Sequence, residues 1–497
     1  MRVRNLAVRS GVVDRRRRYL VLAICCMSLF IVSLDATIVN VALPSIGKDF
    51  GAPVSALQWT IDAYVVVLAG FLLLSGSTAD RVGRRRTFQA GLVVFAAGSL
   101  LCSLAPSAGW LIAFRMVQAL GGSMLNPVAM SIITNTFTVP KERARAIGWW
   151  GAVSGLAIGL GPPIGGVLVE LVGWRAIFWI NVPVVAVALV ATAIFVPESR
   201  SPHPRRIDVV GQLAVVALLS SLVFAIIEAP HAGWLSAQTI SLLCVSVCAL
   251  TVLLVYEPRR ADPLIELRFF RSVPFSGATV IAACAFAALA GFLFLNTLYL
   301  QTVRGFSPMA AGVSILPMGL AILVCAPISG RLVGAYGPRP SLFVAGVMVC
   351  AAALMTLRVG ADTPIAYLLA CYLVFGVGQG MVNAPITNTA VSGMPRSHAG
   401  VAAAIATTSR QMGTALGVAI AGSILSSQLA GPLPTGFVVA SRAAVWVIAS
   451  FGLAVLIAAA LTTGRRARGS IERVAHLFPG DEPPAPQRRS AVDQRVP

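Results

Sequence analysis

Long apolar runs recur along this sequence and constrain its fold more than any other feature. A run of about 18 or more apolar residues can cross a bilayer as an α-helix. The chain is 57% hydrophobic and only 11% charged, whereas about 25% of the residues in an average soluble domain are charged. We therefore predict an all-α integral membrane protein with fourteen transmembrane helices, at approximately 19–43, 57–77, 87–105, 110–135, 147–172, 176–196, 209–228, 237–257, 274–302, 311–335, 341–358, 364–391, 399–428 and 442–463.

A weak internal repeat divides these spans. Gly76 and Gly83 flank the first charged connection, and Gly330 and Gly337 stand at the same separation later in the chain. Both pairs follow the second span of a half if the seventh and eighth spans are set aside, and transporters are often built from such repeats. We predict a basic cytoplasmic N-terminus (1–18) and two six-helix bundles (19–196 and 274–463). An inserted helix pair with cytoplasmic linkers (197–273) lies between the bundles, and a disordered tail (464–497) follows the second.

Lysine and arginine residues are distributed unevenly between the two sides of the predicted membrane protein. Most of them lie in the N-terminus, in every second connection after it and in the C-terminal tail. Because positively charged loops stay in the cytoplasm, we expect both termini there, in a multi-pass protein embedded in the lipid bilayer of a bacterial cell membrane. The net charge of +20 then sets topology, and no nucleic-acid partner is expected.

The connection Thr78–Thr87 holds one aspartate and four arginines. Asp80 follows a helix end, where a carboxylate is disfavoured unless it finds a cation or a donor. We expect it to pair with an arginine or a helix N-terminus across the loop and to latch the cytoplasmic ends in the outward-open state. A solvated loop that only sets topology is the alternative. The predicted gating residues are Gly76, Asp80, Arg81, Gly83, Arg84 and Arg85.

Three charged residues, Asp35, Asp62 and Arg115, fall inside predicted spans of the first bundle. Charge at bilayer depth costs at least about 2.5 kcal/mol, so such residues are expected to face a cavity and serve a function. The span edges place all three within about 7–12 Å of the extracellular face, where they could share a water-filled cavity and couple protons to transport. Asp35 is the main candidate for the coupling carboxylate, and Arg115 is expected to adjust its protonation. The alternative is that Arg115 only forms structural hydrogen bonds to the first span. Three roles are open for Asp62: a second coupling carboxylate, a contact for cationic substrate, or an interfacial residue in contact with water.

Three further residues are candidate substrate contacts. Gln118 lies one turn beyond Arg115, and Arg410 lies deep in the thirteenth span. Arg410 could bind an anion or the substrate, or form a structural pair. Tyr299 belongs to a set of aromatic and methionine residues that could line a pocket for flat lipophilic molecules, or face lipid and core.

Glycines form a small-residue face on the fifth span. Such a face lets helices approach closely, and Pro162 removes a backbone donor and is expected to bend the helix. A bent, closely packed helix is suited to the interface along which two bundles move against each other. The alternative is that the glycines serve helix packing alone. The predicted motif residues are Gly148, Gly161, Pro162, Gly165 and Gly166.

These motifs together resemble the major facilitator superfamily, specifically its fourteen-span drug:proton antiporter branch of the QacA/EmrB type. The matching stretches are residues 34–44, 76–86, 115–122, 148–166, 173–183 and 409–417. Ala119 and Ala157 replace glycines of the family pattern, and Gly334 stands where the second copy of the charged loop would carry aspartate. The resemblance covers nearly the whole chain.

The resemblance implies a proton-coupled exporter of lipophilic, cationic drugs or antibiotics that works by rocking of the two bundles. Export of a self-made antibiotic or siderophore is the alternative, followed by proton-coupled uptake; the direction of transport depends on the resemblance alone. We find no nucleotide-binding P-loop, metal-ligand spacing or catalytic set. We therefore expect no ATP, metal, cofactor or enzymatic activity, and a monomer whose partners are protons and a small lipophilic substrate.

Overall fold

The computed structural model describes residues 15–201, 207–260, 263–392, 399–464, 467 and 469–470. All regular structure within these ranges is helical, and no β-strand occurs in them. The predictions for residues 1–14, and those for the tail beyond residue 470, lie outside the described residues. The all-α fold is confirmed for the part of the chain that carries the spans.

Seventeen α-helices form in the described ranges. They are α1 (Arg15–Phe50), α2 (Val54–Val82), α3 (Arg84–Ser103), α4 (Ala108–Thr136), α5 (Pro140–Leu171), α6 (Ala176–Trp179), α7 (Asn181–Phe195), α8 (Val209–Ala232), α9 (Ala237–Tyr256), α10 (Val273–Leu298), α11 (Pro308–Ser314), α12 (Leu316–Tyr336), α13 (Pro338–Thr356), α14 (Ile365–Gly380), α15 (Asn383–Ser392), α16 (Ala399–Gln428) and α17 (Leu433–Thr462). Short 3-10 turns at Glu257–Arg259 and Leu267–Arg271 precede α10, and a π-helical turn at Tyr299–Val303 follows it.

Within the described residues, 13 helical segments are long and apolar enough to cross a membrane by length and composition. They coincide with predicted spans, and the remaining span, predicted at 399–428, is the 30-residue helix α16. Polar residues in the middle of α16, including Arg410 and Gln411, make it less apolar than the others. Some predicted edges are wrong. The helix predicted at 442–463 begins earlier, at Leu433, where Pro434 in the first turn favours a helix start.

The twelfth predicted span is divided into α14 and α15. Pro385 has no N–H group, so it cannot donate the helical hydrogen bond to the carbonyl of Met381. The hydroxyl groups of Ser329 and Ser341 donate to that carbonyl instead, at 3.0 and 2.8 Å. Neighbouring helices α12 and α13 thus satisfy a backbone group that would otherwise be unpaired in the interior.

The helices pack as two groups with a pair between them. In the N-terminal group (α1–α7), α4 packs against both α2 and α3, and α1 packs against α5. In the C-terminal group (α10–α17), α10 packs against α16 and α13 against α17. The inserted helix α8 contacts α2 and α16, one from each group, while α9 packs mainly on α8.

The two groups meet at one end of the molecule. We call the end that carries the loop Asp80–Arg86 the basic end. At the opposite end, α5 and α12 approach so closely that a side chain on Gly159 would lie 2.9 Å from the Cα atom of Gly319. Towards the basic end, side chains added at Gly148 or Gly334 would meet no described atom within 4 Å. The groups are therefore closed against each other at the opposite end and separated towards the basic end.

Candidate functional site

Asp35 of α1 lies in a buried cluster of hydrogen-bond donors. Arg115 Nη1 donates to its Oδ2 atom at 2.5 Å, and Gln118 Nε2 and Asn181 Nδ2 donate to its Oδ1 atom at 2.8 and 2.9 Å. None of these four side chains is more than 1% exposed. The structure thus brings together Asp35 and Arg115, as the sequence predicted, and gives the carboxylate three donors.

Arg115 is also held by other groups. Its Nη1 atom donates to Gln118 Oε1 at 2.7 Å, and its Nε atom donates to the carbonyl of Thr60 at 3.2 Å. The guanidinium carbon lies 4.0 Å from the centre of the Tyr64 ring, a cation–π arrangement. A buried ion pair is tolerated only when such additional contacts offset its desolvation, and this pair has them. Gln118 therefore belongs to the ion-pair cluster in this conformation.

Close packing of α3 against α4 builds this cluster. A side chain on Gly98 would lie 2.5 Å from the Gln118 backbone, so only glycine allows the two helices to come this near. The neighbouring Ser99 hydroxyl accepts hydrogen bonds from Gln118 and Asn181 at 3.2 and 2.9 Å and donates to the carbonyl of Phe178. Ser99 thereby fixes the two amide groups that face Asp35.

Asp62 does not join this cluster. It is 0% exposed, and neither carboxylate oxygen has a hydrogen-bond partner among the described residues. One turn earlier on the same helix, Gln58 donates to the carbonyls of Val418 and Ala419 on α16, and Trp59 donates to Glu228 on α8. Asp62 therefore lies on the face of α2 that is covered by α16 and α8. The expected water-filled cavity shared by all three charges is wrong for this conformation, because helix packing buries each of them.

The charged loop pairs within itself and with the segment after α7. Arg84 donates to Asp80 at 2.9 Å, which confirms the predicted pairing of Asp80 with an arginine. The Glu198 carboxylate accepts a hydrogen bond from the backbone of Arg85 at 3.1 Å and lies 3.7 Å from the Arg86 guanidinium. Arg81 occupies the last turn of α2. The loop is thus an ion-pair network built around two carboxylates.

The two glycines of the loop differ. Gly83 has a φ angle of +123°, which favours glycine, and a side chain there would lie 2.6 Å from a Glu198 oxygen. Gly83 therefore allows the predicted close approach. A side chain on Gly76 would meet only Pro127, at 3.9 Å, which is ordinary contact. The predicted tight approach at Gly76 is wrong, because α2 and α4 leave room there.

The glycine face of α5 serves two neighbours. Side chains on Gly161 and Gly165 would overlap α1, at Thr37 and Ile38, whereas one on Gly166 would overlap the start of α11 at Pro308. The carbonyl of Pro162 packs equally closely on Gly312 of α11. The contacts with α11 confirm close packing between the groups, and those with α1 lie within the N-terminal group. Gly148 takes no part in it, because it lies towards the basic end, where the groups are apart.

The remaining candidates lie in the C-terminal group. Arg410 Nη2 donates to the Thr387 hydroxyl at 2.7 Å, and no carboxylate among the described residues forms an ion pair with it. Tyr299 is buried and donates to the carbonyl of Gly360 at 2.7 Å. Its hydroxyl thus holds the connection between α13 and α14. Tyr299 directly follows the end of α10, whereas Arg410 lies beside Phe286 in the middle of that helix.

Sequence reasoning missed three residues that complete these sites: Ser99, Asn181 and Glu198. Asn181 stands in the stretch 173–183, but its sequence neighbours do not show that its amide points at Asp35. Glu198 follows the sixth span on the side predicted for the arginine loop, and this opposite charge in an adjacent connection was the available signal.

Comparison with known proteins agrees with this architecture. The Major Facilitator Superfamily profile matches residues 25–418. The chain is 35% identical over 418 residues to the multidrug resistance protein Stp of Mycobacterium tuberculosis, covering 84% of this chain and 78% of Stp. It is 35% identical over 422 residues to the tetracenomycin C resistance and export protein of Streptomyces glaucescens, covering 84% and 78%. It is also 35% identical over 423 residues to the puromycin resistance protein pur8 of Streptomyces alboniger, covering 84% of each.

A solved structure shares the fold. A bacterial homologue of the human lysosomal transporter Spinster, in an inward-facing and occupied conformation, superimposes with a TM-score of 0.63 at 16% identity, covering 94% of this chain and 98% of that one. Fold and sequence together define a helical membrane transporter rather than an enzyme. The chain belongs to the Major Facilitator Superfamily.

Proposed function

We propose that this protein is a proton-coupled antiporter that exports lipophilic drugs or antibiotics from the cell by alternating access. The resistance and export functions in the names of its relatives support drug export. The basic end is assigned to the cytoplasm because its loop is rich in arginine. The separation of the two groups at that end then corresponds to a carrier that is open to the cytoplasm.

The unpaired, buried carboxyl group of Asp62 is the observation that carries the proton-coupling proposal. An ionised carboxylate without donors is far too costly to bury, so in this conformation the group is stable as the neutral acid. Asp35 differs, because three donors hold it as an ion pair with Arg115. We therefore assign the exchangeable proton to Asp62. Asp35 and Arg115 form a separate, buried ion pair in the same helix group.

The seam that covers Asp62 explains how its proton can exchange. Gln58, one turn closer to the extracellular end, donates to Val418 and Ala419 and fits against Gly422 of α16. When the two groups tilt and this seam opens, water from outside reaches Asp62. Cargo then leaves and a proton binds. Closure of the seam returns the carrier, with its proton, to the conformation described here.

The cytoplasmic loop supports the same cycle. The network of Asp80, Arg84 and Glu198 ties α2 and α3 to the segment after α7, so this part of the N-terminal group moves as one body. In the outward-open form we propose that the loop latches the cytoplasmic ends. Asp80→Asn is then expected to reduce transport and leave insertion intact.

Transport by Asp62 variants tests the proposal. Wild-type protein, Asp62→Asn and Asp35→Asn are expressed in a bacterium that lacks its own drug pumps, and growth is measured with puromycin, tetracenomycin C and methylenomycin A. The same membranes, as everted vesicles, are given an imposed pH gradient. We expect gradient-driven uptake in the wild type and none in Asp62→Asn. Equal uptake with and without the gradient in wild-type vesicles would contradict proton coupling.

A second candidate function is export of an antibiotic that the producing cell makes itself. It is favoured by the similarity to the tetracenomycin C resistance and export protein. The two functions differ in cargo and share one mechanism, so the panel of compounds distinguishes them. High resistance to one compound, with little effect on the others, indicates a dedicated exporter.

A further inference from the structure

A second arginine lies deep within the helices, but its surroundings differ from those of Arg115. Arg410 is on α16, eleven residues from the start of the helix, about 16 Å from the basic end. Within the described part of the chain it donates one hydrogen bond, to the Thr387 hydroxyl, and its guanidinium lies 5.8 Å from the Phe286 ring centre. Its Nε atom is buried without a partner among the described residues. No carboxylate of the described residues balances the charge of this guanidinium.

An unbalanced cation at this depth calls for an explanation. Charged groups in transmembrane helices are costly and are normally paired, as Arg115 is with Asp35. A guanidinium has five N–H donors, and one neutral hydroxyl satisfies only a small part of this capacity. A purely structural arginine would be expected to bind backbone carbonyls or a carboxylate. The described residues thus leave the buried Nε–H donor of Arg410 without an acceptor.

The residues around Arg410 form a polar stripe on α16. Thr407, Arg410, Gln411 and Thr414 follow each other at helical spacing, and all four are partly exposed. Thr387, which binds Arg410, is exposed on α15. A polar stripe is unfavourable against lipid. It is stable if it faces the space between the two groups, which are apart on this side of the molecule.

We propose that Arg410 is the anion-binding residue of the cargo cavity, and that the cargo is a lipophilic molecule with an acidic group such as a carboxylate, phenolate or enolate. This proposal rests on the export function proposed above and names its substrate class. The guanidinium fork pairs with the acidic oxygens, and the Phe286 ring offers an apolar surface beside it. The cationic cargo expected from the sequence requires an accessible carboxylate, whereas Asp35 is paired with Arg115 and Asp62 is 0% exposed.

Two dyes with the same three-ring core and opposite charge test the proposal. Fluorescein is an anion at neutral pH, and rhodamine 123 is a cation. Binding of each dye to the purified full-length protein is measured by fluorescence anisotropy for the wild type, Arg410→Gln and Arg410→Lys. We expect the wild type to bind fluorescein more tightly, and Arg410→Gln to weaken fluorescein binding by about 10- to 100-fold with rhodamine 123 binding unchanged. Arg410→Lys, which keeps the charge but not the fork, should give an intermediate loss.

Several outcomes would overturn the assignment: tighter binding of rhodamine 123 by the wild type, an unchanged fluorescein affinity in Arg410→Gln, or equal losses for both dyes. Equal losses would indicate a structural arginine. If Arg410→Gln does not fold, Arg410→Lys tests the assignment: a selective loss of fluorescein binding supports it, and an unchanged affinity contradicts it. Everted vesicles with an imposed pH gradient separate the two proposals. Selective binding without gradient-driven uptake contradicts the export mechanism and leaves the Arg410 assignment in place.

Discussion

Asp35 and Asp62 are both fully buried aspartates of the N-terminal group, yet their surroundings are opposite. Asp35 receives hydrogen bonds from Arg115, Gln118 and Asn181. Asp62 receives none from the described residues. The difference shows that burial alone does not define the chemistry of an acid inside a membrane protein. Asp35 is held by three donors, and the absence of any described donor at Asp62 is the reason we propose Asp62 as the proton carrier.

The largest expected effect comes from breaking the pair at Asp35. Arg115→Met leaves the carboxylate buried without its cation, and removal of one partner of a buried pair destabilises proteins by about 3–5 kcal/mol. We expect a large loss of folded protein, measured by size-exclusion chromatography and thermal unfolding in detergent. Arg115→Met combined with Asp35→Asn should recover part of the stability, because no bare charge is left. No recovery in the double variant would indicate that Arg115 acts mainly through packing.

A smaller effect is expected from moving the helix that carries Asp35. Gly161 of α5 packs directly on Thr37, two residues beyond Asp35. Gly161→Val should therefore displace α1 and destabilise the protein by about 1–3 kcal/mol, as overpacking does. Gly148→Val on the same helix is the matched control, since it meets no described atom within 4 Å. Equal thermal stability of the two variants would show that α1 tolerates displacement at this point.

Removal of one neutral donor should have a still smaller effect. Asn181→Ala leaves Asp35 with Arg115 and Gln118 but deletes the hydrogen bonds to Asp35 and to Ser99, both at 2.9 Å. Loss of a hydrogen bond to a charged group costs about 1.5–3 kcal/mol, and we expect the low end because two donors stay in place. Thermal unfolding of Asn181→Ala and of Asn181→Asp is compared to check the direction of the stability change. The aspartate adds a second acid next to Asp35, so it should be the less stable variant.

The smallest effect on stability is expected at the exposed carboxylate of the loop. Asp80 and Arg84 are partly exposed, with side-chain exposures of 31% and 15%, and such pairs contribute about 0–1 kcal/mol. Asp80→Asn should therefore leave the unfolding temperature nearly unchanged and still reduce uptake in everted vesicles. Full uptake by this variant would assign the loop to topology alone.

The sequence was sufficient to predict the helical fold, and the span edges placed Asp35 and Arg115 at the same depth. The remainder of the site depends on contacts between helices that are distant in the sequence. Asn181 reaches Asp35 from α7, and Asp62 is not part of the cluster; both facts depend on the rotation of each helix about its axis. The motif glycines Gly148 and Gly161 likewise look equivalent in sequence, but only Gly161 lies where two helices touch.

Infrared spectroscopy of the purified protein tests the assignment of the proton to Asp62 most directly, because a neutral carboxyl group has a C=O stretching band that a carboxylate lacks. Spectra of the wild type, Asp62→Asn and Asp35→Asn are compared at neutral pH. We predict that a carboxyl band of the wild type disappears in Asp62→Asn and persists in Asp35→Asn. A band that persists in Asp62→Asn, or that disappears only in Asp35→Asn, would contradict the account.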